Sequence, residues 1–217
     1  DFCLSRGLGD VYKRQAVDHK GNIIDGDKIL YVCGKFLKSQ GKLNGNTVVT
    51  TVMSNMGLYK AFEAEGINYE QTAVGDKYVA ENMLENNYSI GGEQSGHVIF
   101  SRYAATGDGI LTSLMIMEAC VEQKATLCDL AKEMKVYPQI LRNVRVADKK
   151  TARENPKVVE AVEAAARALS TDGRILVRES GTEPLIRVMV EAGTEEICAE
   201  HVNNVVRVME EEGLVVE

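Results

Sequence analysis

The stretch RILVRESGTEPLIRVMVEAG, residues 174–193, contains two apolar runs separated by a short polar segment. Both runs alternate apolar and polar residues as half-buried strands do, and the Ser-Gly-Thr segment between them is typical of a loop. Arg178 ends the first run and Arg187 lies in the second. The stretch therefore predicts two antiparallel strands whose connection carries two arginines and free backbone N–H groups.

The elements around this pair predict a small α+β domain over residues 138–217. A strand, QILRNVRVAD, precedes the pair, and helices are expected to begin at Asn155-Pro156 and at Thr194. Asparagine and threonine are good helix caps, and proline is favoured in the first turn. Upstream, Tyr137-Pro138 interrupts the helical pattern and marks a domain boundary.

Residues 25–137 alternate strand and helix, which indicates an α/β layer. NTVVTTV reads as a buried strand, YSIGGEQSGHVIF as a pair of short strands, and either Thr106 or Asp108 can cap the long apolar helix that follows. Asp27 is expected to cap a helix near the start of this domain. Residues 16–24 form two short strands joined by a turn at Lys20-Gly21-Asn22.

Composition narrows the class of partner. The chain has 217 residues, 45% of them hydrophobic, and a net charge of −7 with scattered lysines and arginines. This argues against a general nucleic-acid or membrane-binding surface and favours a small-molecule partner. The five cysteines form no C-x-x-C pair and the three histidines do not complete a zinc pattern, so we predict no metal ligands and a cytoplasmic protein. Neither a membrane span nor a secretion signal is apparent.

The loop between the two arginine-bearing strands is a candidate phosphate site. Arginine forks, hydroxyls and converging N–H groups match the oxygens of a phosphate monoester. The candidate residues are Arg178, Ser180, Gly181, Thr182 and Arg187. The alternative is an ordinary hairpin with two solvated arginines.

A second candidate is GGEQSGH, residues 91–97. Glu93, Ser95 and His97 fall at alternate positions and would share one side of an extended segment. A carboxylate beside a hydroxyl suits the hydroxyls of a sugar. The alternative is the polar edge of a hairpin, with His97 in a structural role.

Two weaker candidates lie at helix starts. Lys77 would sit in the first turn of the helix after Gly75-Asp76 and could support an anion, although Asp76 is equally explained as a cap. Asp25 and Asp27 are interpreted as turn and cap residues, with no ion.

Several of these stretches together resemble the α-D-phosphohexomutases. TVVTTVMSNMGLYKAFEAEGI, TAVGDKYV, GGEQSGH, TGDGILT and VRESGTEPLIRVMVEA follow one another as they do in that family, and the resemblance runs from about Ala16 to near the end. It implies the third domain of a four-domain enzyme, in mixed α/β/α layers, over 25–137, and the small fourth domain over 138–217. Residues 16–24 would then be a remnant of the second domain.

The resemblance is nearest to the branch that interconverts glucosamine 6-phosphate and glucosamine 1-phosphate for UDP-N-acetylglucosamine, a peptidoglycan precursor. It implies a phosphoserine in the first domain, a glucosamine 1,6-bisphosphate intermediate, and Mg²⁺ on a triple-aspartate loop of the second. Glu93 and Ser95, with His97 adjacent, would contact the sugar, and the loop from Arg178 to Arg187 would hold the phosphate that is not reacting. Lys77 stands where the family usually has arginine. The alternatives are the glucose and mannose phosphate branch, and a phosphosugar-binding module without catalysis.

The first fifteen residues depart from the family. Of the aspartate loop, LGDVYKRQAVD keeps at most Gly9 and Asp10, which would make a poor magnesium site. We interpret residues 1–15 as a non-homologous, adapter-derived leader. We therefore expect no catalytic or metal residue in this chain, weak phosphosugar binding at most, and no mutase activity by the chain alone.

Overall fold

Residues 3–5, 13–181 and 183–216 are described by a computed structural model of the chain. They divide between two units, Asp1–Val136 and Tyr137–Glu217. The boundary lies beside Pro138, which restricts the backbone of the residue before it. Within the described residues, no helix is both long enough and apolar enough to cross a bilayer.

The first unit begins with a small antiparallel sheet. Its strands, in spatial order, are β1 (Cys3–Ser5), β2 (Gln15–Val17) and β3 (Ile23–Ile24). The predicted pairing of β2 with β3 is confirmed. Residues 1–15, which we interpret as a non-homologous leader, nevertheless include β1, whose backbone pairs with β2 from Cys3 opposite Val17 to Ser5 opposite Gln15. Backbone pairing of three residues requires no apolar periodicity, so no sequence pattern predicts it.

The turn between β2 and β3 is fixed by Asp18. Its carboxylate accepts hydrogen bonds from the backbone N–H groups of Lys20 and Asn22 and from the Asn22 side-chain amide, each at 2.9 Å. The bond from the Asn22 side chain is the largest cause of a pKa of Asp18 well below its usual range. Gly21, in the same turn, has a φ of 83°, which favours glycine.

The main sheet of the first unit has four strands. They are β4 (Thr47–Thr51), β5 (Asn68–Thr72), β6 (Ile90–Gly92) and β7 (Val98–Phe100), in the order β5-β4-β6-β7. β4 runs parallel to β5 and β6, whereas β7 is antiparallel to β6. The carboxyl ends of the three parallel strands therefore meet at one edge of the sheet, the usual place for a ligand in such folds.

Helices cover both faces of this sheet. They are α1 (Gly26–Ser39), α2 (Met56–Ala64), α3 (Asp76–Asn86), α4 (Gly109–Glu122) and α5 (Leu127–Ala131). Val48 packs in a core with residues of α1, α2, α4 and α5, whereas the next residue, Val49, packs with Val79 and Met83 of α3. Successive strand residues point to opposite faces, so the two cores lie on opposite sides of the sheet. The predicted α/β/α layering is confirmed.

Two helix starts differ from the sequence expectations. Asp25, rather than Asp27, caps α1 by accepting from the Lys28 N–H. Asp27 is buried within the first turn, where its Oδ2 accepts from the Asn55 N–H at 2.7 Å. Asp76 is the first residue of α3, and Gly75 occupies the cap position without a side-chain bond.

Of the two caps considered for α4, the structure uses Asp108. Its Oδ1 accepts from the Ile110 and Leu111 N–H groups at 2.8 and 3.0 Å. Thr106 precedes the cap and is exposed. A carboxylate at this position also opposes the positive end of the helix dipole.

The second unit is an α+β arrangement around a three-stranded sheet. Its elements are β8 (Gln139–Arg145), α6 (Lys149–Glu154), α7 (Pro156–Leu169), β9 (Arg174–Glu179), β10 (Leu185–Glu191) and α8 (Glu195–Glu211). The sheet is antiparallel throughout, in the order β8-β10-β9. The predicted caps Asn155 and Thr194 are confirmed. The short helix α6 was not predicted.

One face of this sheet carries the core of the second unit. Ile186, Val188 and Val190 of β10 pack in one cluster with Val158 of α7 and Val202 of α8. Because strand residues alternate between faces, Arg187 projects from the opposite face. The antiparallel pair at 174–193 is thus held by α7 and α8 from one side and presents its arginine from the other.

Candidate functional site

The strongest candidate site in the second unit is a pair of arginines on neighbouring strands. Arg178 of β9 lies directly opposite Arg187 of β10. The Nε atoms of both side chains are buried, and neither has a hydrogen-bond partner among the residues described. Burial, and then the charge of Arg187, lower the pKa of Arg178. Like charges placed opposite each other across two strands destabilise a sheet, and guanidinium groups are strong donors to anions, so the pair is a candidate anion site.

The loop between the two arginines is shaped by Ser180. This residue is 2% exposed, its N–H donates to the Leu185 carbonyl at 2.9 Å, and its Oγ accepts from the Glu183 N–H at 3.3 Å. Around Gly181, by contrast, an added Cβ would have no described atom within 4 Å beyond its own chain neighbours. Thr182, the remaining predicted residue of this loop, lies outside the described residues.

The two arginines are only partly solvated. The Arg187 side chain is 29% exposed, and its Nη2 is 3.6 Å from an oxygen of Glu183. Glu183 thus partly compensates the charge of Arg187. Arg178 has no ion pair with any described residue. We call Arg178, Ser180, Gly181 and Arg187 the arginine clamp. Its donors suit a dianion such as a phosphate monoester.

In the first unit, residues 93–96 form a tight turn between β6 and β7. The Gly96 N–H donates to the Glu93 carbonyl, and the Glu93 N–H donates to the His97 carbonyl, each at 2.9 Å. Gly96 has a φ of 94°. The expectation that Glu93, Ser95 and His97 share one side of an extended segment is therefore wrong, because closing the hairpin removes the strand alternation.

Glu93 and Ser95 nevertheless line a common cavity. It has a volume of about 330 Å³ and lies at the edge where the parallel strands end. Its walls include Asp25 and Thr51. Burial raises the pKa of Asp25. The Glu93 carboxylate is oriented by the Gly75 N–H, which donates to its Oε1 at 3.0 Å. We call this the hydroxyl-facing cavity, because carboxylates and a threonine hydroxyl are suited to a polyhydroxy ligand.

His97 does not line this cavity. It is 7% exposed, and its Nε2 accepts a hydrogen bond from the Gly107 N–H at 3.1 Å. Asp76 Oδ2 is 3.9 Å from the same nitrogen. His97 thus contacts the segment that leads into α4, the structural role that the sequence left open as an alternative.

Lys77 also lies apart from the cavity walls. Its side chain is 73% exposed, and its Nζ is 3.7 Å from Glu81 Oε1, one turn further along α3. The charge of Lys77 is therefore directed along its own helix in this structure.

The described residues do not fit a magnesium site. No group of three or more His, Cys, Asp or Glu side chains within the described ranges is placed to hold a metal ion. Asp18, Asp25 and Asp27 each accept hydrogen bonds from backbone N–H groups. Gly9 and Asp10 lie outside the described residues.

Comparison with known families agrees with both units. Residues 25–137 match the model of the α/β/α domain III of phosphoglucomutase/phosphomannomutase, and residues 141–208 match that of the C-terminal domain. The first match alone covers more than half of the chain. The chain belongs to the phosphoglucomutase/phosphomannomutase family.

Bacterial members of this family are similar to the chain over most of its length. The phosphoglucosamine mutase of Lachnoclostridium phytofermentans is 57% identical over 98% of the chain, and that of Bacillus subtilis is 54% identical over 94%. These alignments span 49% and 46% of the two relatives. The chain therefore spans about half the length of the curated relatives it matches.

Solved structures of the phosphohexomutase superfamily share the fold. An N-acetylphosphoglucosamine mutase of Aspergillus fumigatus matches 99% of the chain with a TM-score of 0.81 and 20% identity, over 49% of its own length. The same enzyme in complex with GlcNAc-6P and magnesium matches 96% of the chain with a TM-score of 0.78 and 19% identity, over 52% of its length. At these identities the likeness shows the fold alone.

The sequence missed some residues around each of the two candidate sites of this family member. In the first unit these are the cavity walls formed by Thr51 and Met53, at the end of β4. In the second they are Lys149 and Arg153 of α6, whose side chains reach the end of β9. Asp148 caps α6 by accepting from the Thr151 N–H. An aspartate three residues before a threonine is a weak signal, but it could have suggested this helix.

Proposed function

We propose that the chain is the C-terminal part of a phosphoglucosamine mutase. The longer protein would interconvert glucosamine 6-phosphate and glucosamine 1-phosphate through a phosphoserine and glucosamine 1,6-bisphosphate. The observation that carries the proposal is the arginine clamp, in which two opposed guanidinium groups keep buried Nε donors without a described partner. The similarity to bacterial phosphoglucosamine mutases supports the choice of sugar.

In this proposal, the arginine clamp holds the phosphate that is not reacting. Phosphoryl transfer depends on positioning and on stabilising charge, so a distant phosphate contact contributes by orienting the substrate. Arginine forks recognise the phosphate group and make no demand on the sugar attached to it. The clamp therefore accepts either end of the bisphosphate.

The hydroxyl-facing cavity would contact the sugar. Glu93 is oriented by the Gly75 N–H and is available to accept from hydroxyls, while Ser95 is exposed beside it. An amino group at C2 of the sugar would also be favoured by the carboxylates of Glu93 and Asp25, which line the same cavity. This is a physical reason to prefer glucosamine phosphates to those of glucose or mannose.

Catalysis itself is assigned to the longer protein. The magnesium and the phosphoserine that this activity requires are proposed for the part of the relatives that the chain does not span. The 217-residue chain alone is expected to bind phosphate-bearing sugars weakly and to turn none over.

A chimera tests the proposal. The preceding half of the Bacillus subtilis relative, fused to residues 16–217, should give a mutase that prefers glucosamine 1-phosphate to glucose and mannose 1-phosphates. The same chimera with Arg178→Met should retain the preference and lose most of the activity. The unfused chain, assayed in parallel, should be inactive.

Each other outcome has a definite meaning. A preference for glucose or mannose phosphate would replace the proposed sugar by the alternative branch. A folded chimera with no activity on any of the three sugars would favour a phosphosugar-binding module. Turnover by the unfused chain would contradict the assignment of catalysis to the longer protein.

A further inference from the structure

The short helix α6 makes two contacts with the start of the clamp loop. The Lys149 Nζ donates to the Ser180 carbonyl oxygen at 2.8 Å, in a partly buried position. One turn later, Arg153 Nη1 is 3.5 Å from Glu179 Oε1. Helix α6 thus contacts two successive residues at the point where β9 becomes the loop.

The hydrogen bond from Lys149 satisfies the last free polar group of Ser180. The Ser180 N–H donates to Leu185, its Oγ accepts from Glu183, and its carbonyl accepts from Lys149. All three polar groups of this buried residue are therefore engaged. The first two bonds stay within the hairpin, and only the third comes from another element.

The direction of the Ser180 carbonyl determines the direction of the next N–H. The peptide unit that joins Ser180 to Gly181 is planar, and in a trans peptide the C=O and the following N–H point in opposite directions. No cis peptide bond occurs in the described residues. When Lys149 holds the carbonyl on its own side, the Gly181 N–H is turned away from α6, in the open surroundings of Gly181.

We propose that Lys149 is a positioning residue for the arginine clamp. It orients the Ser180–Gly181 peptide so that the Gly181 N–H acts as a phosphate donor together with Arg178 and Arg187. This inference rests on the proposed function, because it assigns a role within the same phosphate site. The ligand class is a phosphate monoester or inorganic phosphate.

Lys150 provides a matched control. It is the neighbouring residue of the same helix, carries the same charge, is exposed, and makes no hydrogen bond or ion pair with the described residues. Lys150→Met and Lys149→Met therefore change the net charge equally. Only Lys149→Met removes the bond to the Ser180 carbonyl.

The experiment titrates the full chain and its variants with inorganic phosphate by calorimetry. Losing a hydrogen bond from a charged group corresponds to about a tenfold change or more in an equilibrium constant, and part of it should reach the ligand. We expect Lys149→Met to weaken phosphate binding roughly three- to tenfold, Lys150→Met to bind as the unsubstituted chain does, and Lys149→Arg to recover most of the affinity. Lys149→Met should also unfold at a somewhat lower temperature than Lys150→Met, because the Ser180 carbonyl loses its donor, but all three variants should be folded at the temperature of the titration.

The Gly181 amide gives a readout that a purely structural role would not move. In ¹⁵N-labelled chain its resonance should shift on addition of phosphate, and the shift should be reduced in Lys149→Met but not in Lys150→Met. If Lys149→Met does not fold, Lys149→Gln takes its place.

The outcomes separate the two proposals. Equal phosphate affinities for Lys149→Met and Lys150→Met, with the unsubstituted chain binding phosphate, would overturn the role of Lys149 and leave the proposed function intact. No phosphate binding by the unsubstituted chain, even at millimolar concentration, would overturn the role of Lys149, whereas the proposed function is decided by the activity of the chimera.

Discussion

Replacing Arg178 by methionine should make the chain more stable and, at the same time, a weaker phosphate binder. In the structure Arg178 lies opposite Arg187 on the neighbouring strand, and both Nε atoms are buried. Methionine keeps an unbranched apolar stem of similar reach and removes the charge. The variant thus removes one of two like charges without emptying the site.

The two effects have opposite signs and separable magnitudes. Like charges directly opposite across two strands cost on the order of 0.2–1 kcal/mol, so the variant should gain about that much free energy of unfolding. The hydrogen bonds from one guanidinium to a charged ligand contribute about 1.5–3 kcal/mol, which corresponds to a loss of roughly 10- to 100-fold in phosphate affinity.

Urea unfolding would measure the stability of the chain, and calorimetry with glucosamine 1-phosphate and with inorganic phosphate would measure binding. Arg167→Met is the matched control in the same unit. Its side chain is 68% exposed on α7 and pairs with Glu163 at 3.6 Å. That variant has the same change in charge but should bind as the unsubstituted chain does, with a stability equal or slightly lower.

Two results would contradict the proposed role of Arg178 in phosphate binding. If Arg178→Met lowers the free energy of unfolding and leaves phosphate affinity unchanged, the two arginines serve the fold, and their opposed charges are compensated within the protein. A decrease in affinity that equals that of Arg167→Met would mean that the ligand responds only to net charge.

Three further predictions concern the first unit. Asp18→Asn should lower the free energy of unfolding at pH 7, and its difference from the unsubstituted chain should shrink as pH falls. The folded pKa of Asp18 lies below its ordinary value near 3.9, so the stability that the carboxylate contributes is present above that value and is lost as pH falls toward the folded pKa. Urea midpoints between pH 7 and 2 would show this. Lys38→Met should lower the free energy of unfolding by about 1 kcal/mol in the same assay. Lys38 Nζ donates to the Glu65 and Gly66 carbonyls at the end of α2, at 2.7 and 2.9 Å, and methionine removes both bonds. An unchanged urea midpoint would show that water replaces these bonds fully. Gly26→Ala should displace the 93–96 turn, because an added Cβ would lie 2.0 Å from the Glu93 carbonyl oxygen. The chimera with this substitution should lose its sugar preference, whereas the chain with this substitution should keep its phosphate affinity. A retained sugar preference would mean that the turn can shift without consequence.

Much of the fold follows from local patterns. The strands at 47–51 and 185–191 and the helices after Asn155 and Thr194 were predictable because apolar periodicity and capping residues agree there. The cap of α1 was misassigned between Asp25 and Asp27, since both are good caps by residue type and only tertiary contacts decide. Asp27 is instead buried against the Asn55 N–H, 28 residues away in sequence.

The residue types of the two candidate sites could be read from the sequence, and their geometry less so. The antiparallel register that sets Arg178 opposite Arg187 follows from two strands and a short loop. The turn at residues 93–96 does not, because the sequence of a glycine-rich segment permits both an extended and a closed form. The role of Lys149 depends on a short helix packed against a loop 31 residues later, a contact that no local pattern reports.

The turn at residues 93–96 also bears on how this protein could be redesigned. Its shape is set by main-chain bonds: Gly96 to Glu93, Glu93 to His97, the Gly26 N–H to the Gln94 carbonyl at 3.0 Å, and the Arg14 N–H to the Gly96 carbonyl at 2.9 Å. The side chains of Gln94 and Ser95 make no hydrogen bond with the described part of the chain, although both line the hydroxyl-facing cavity. These two positions can therefore be randomised in a library with little risk to folding. Selection on such a library would show which ligands this cavity can bind when only these two side chains change.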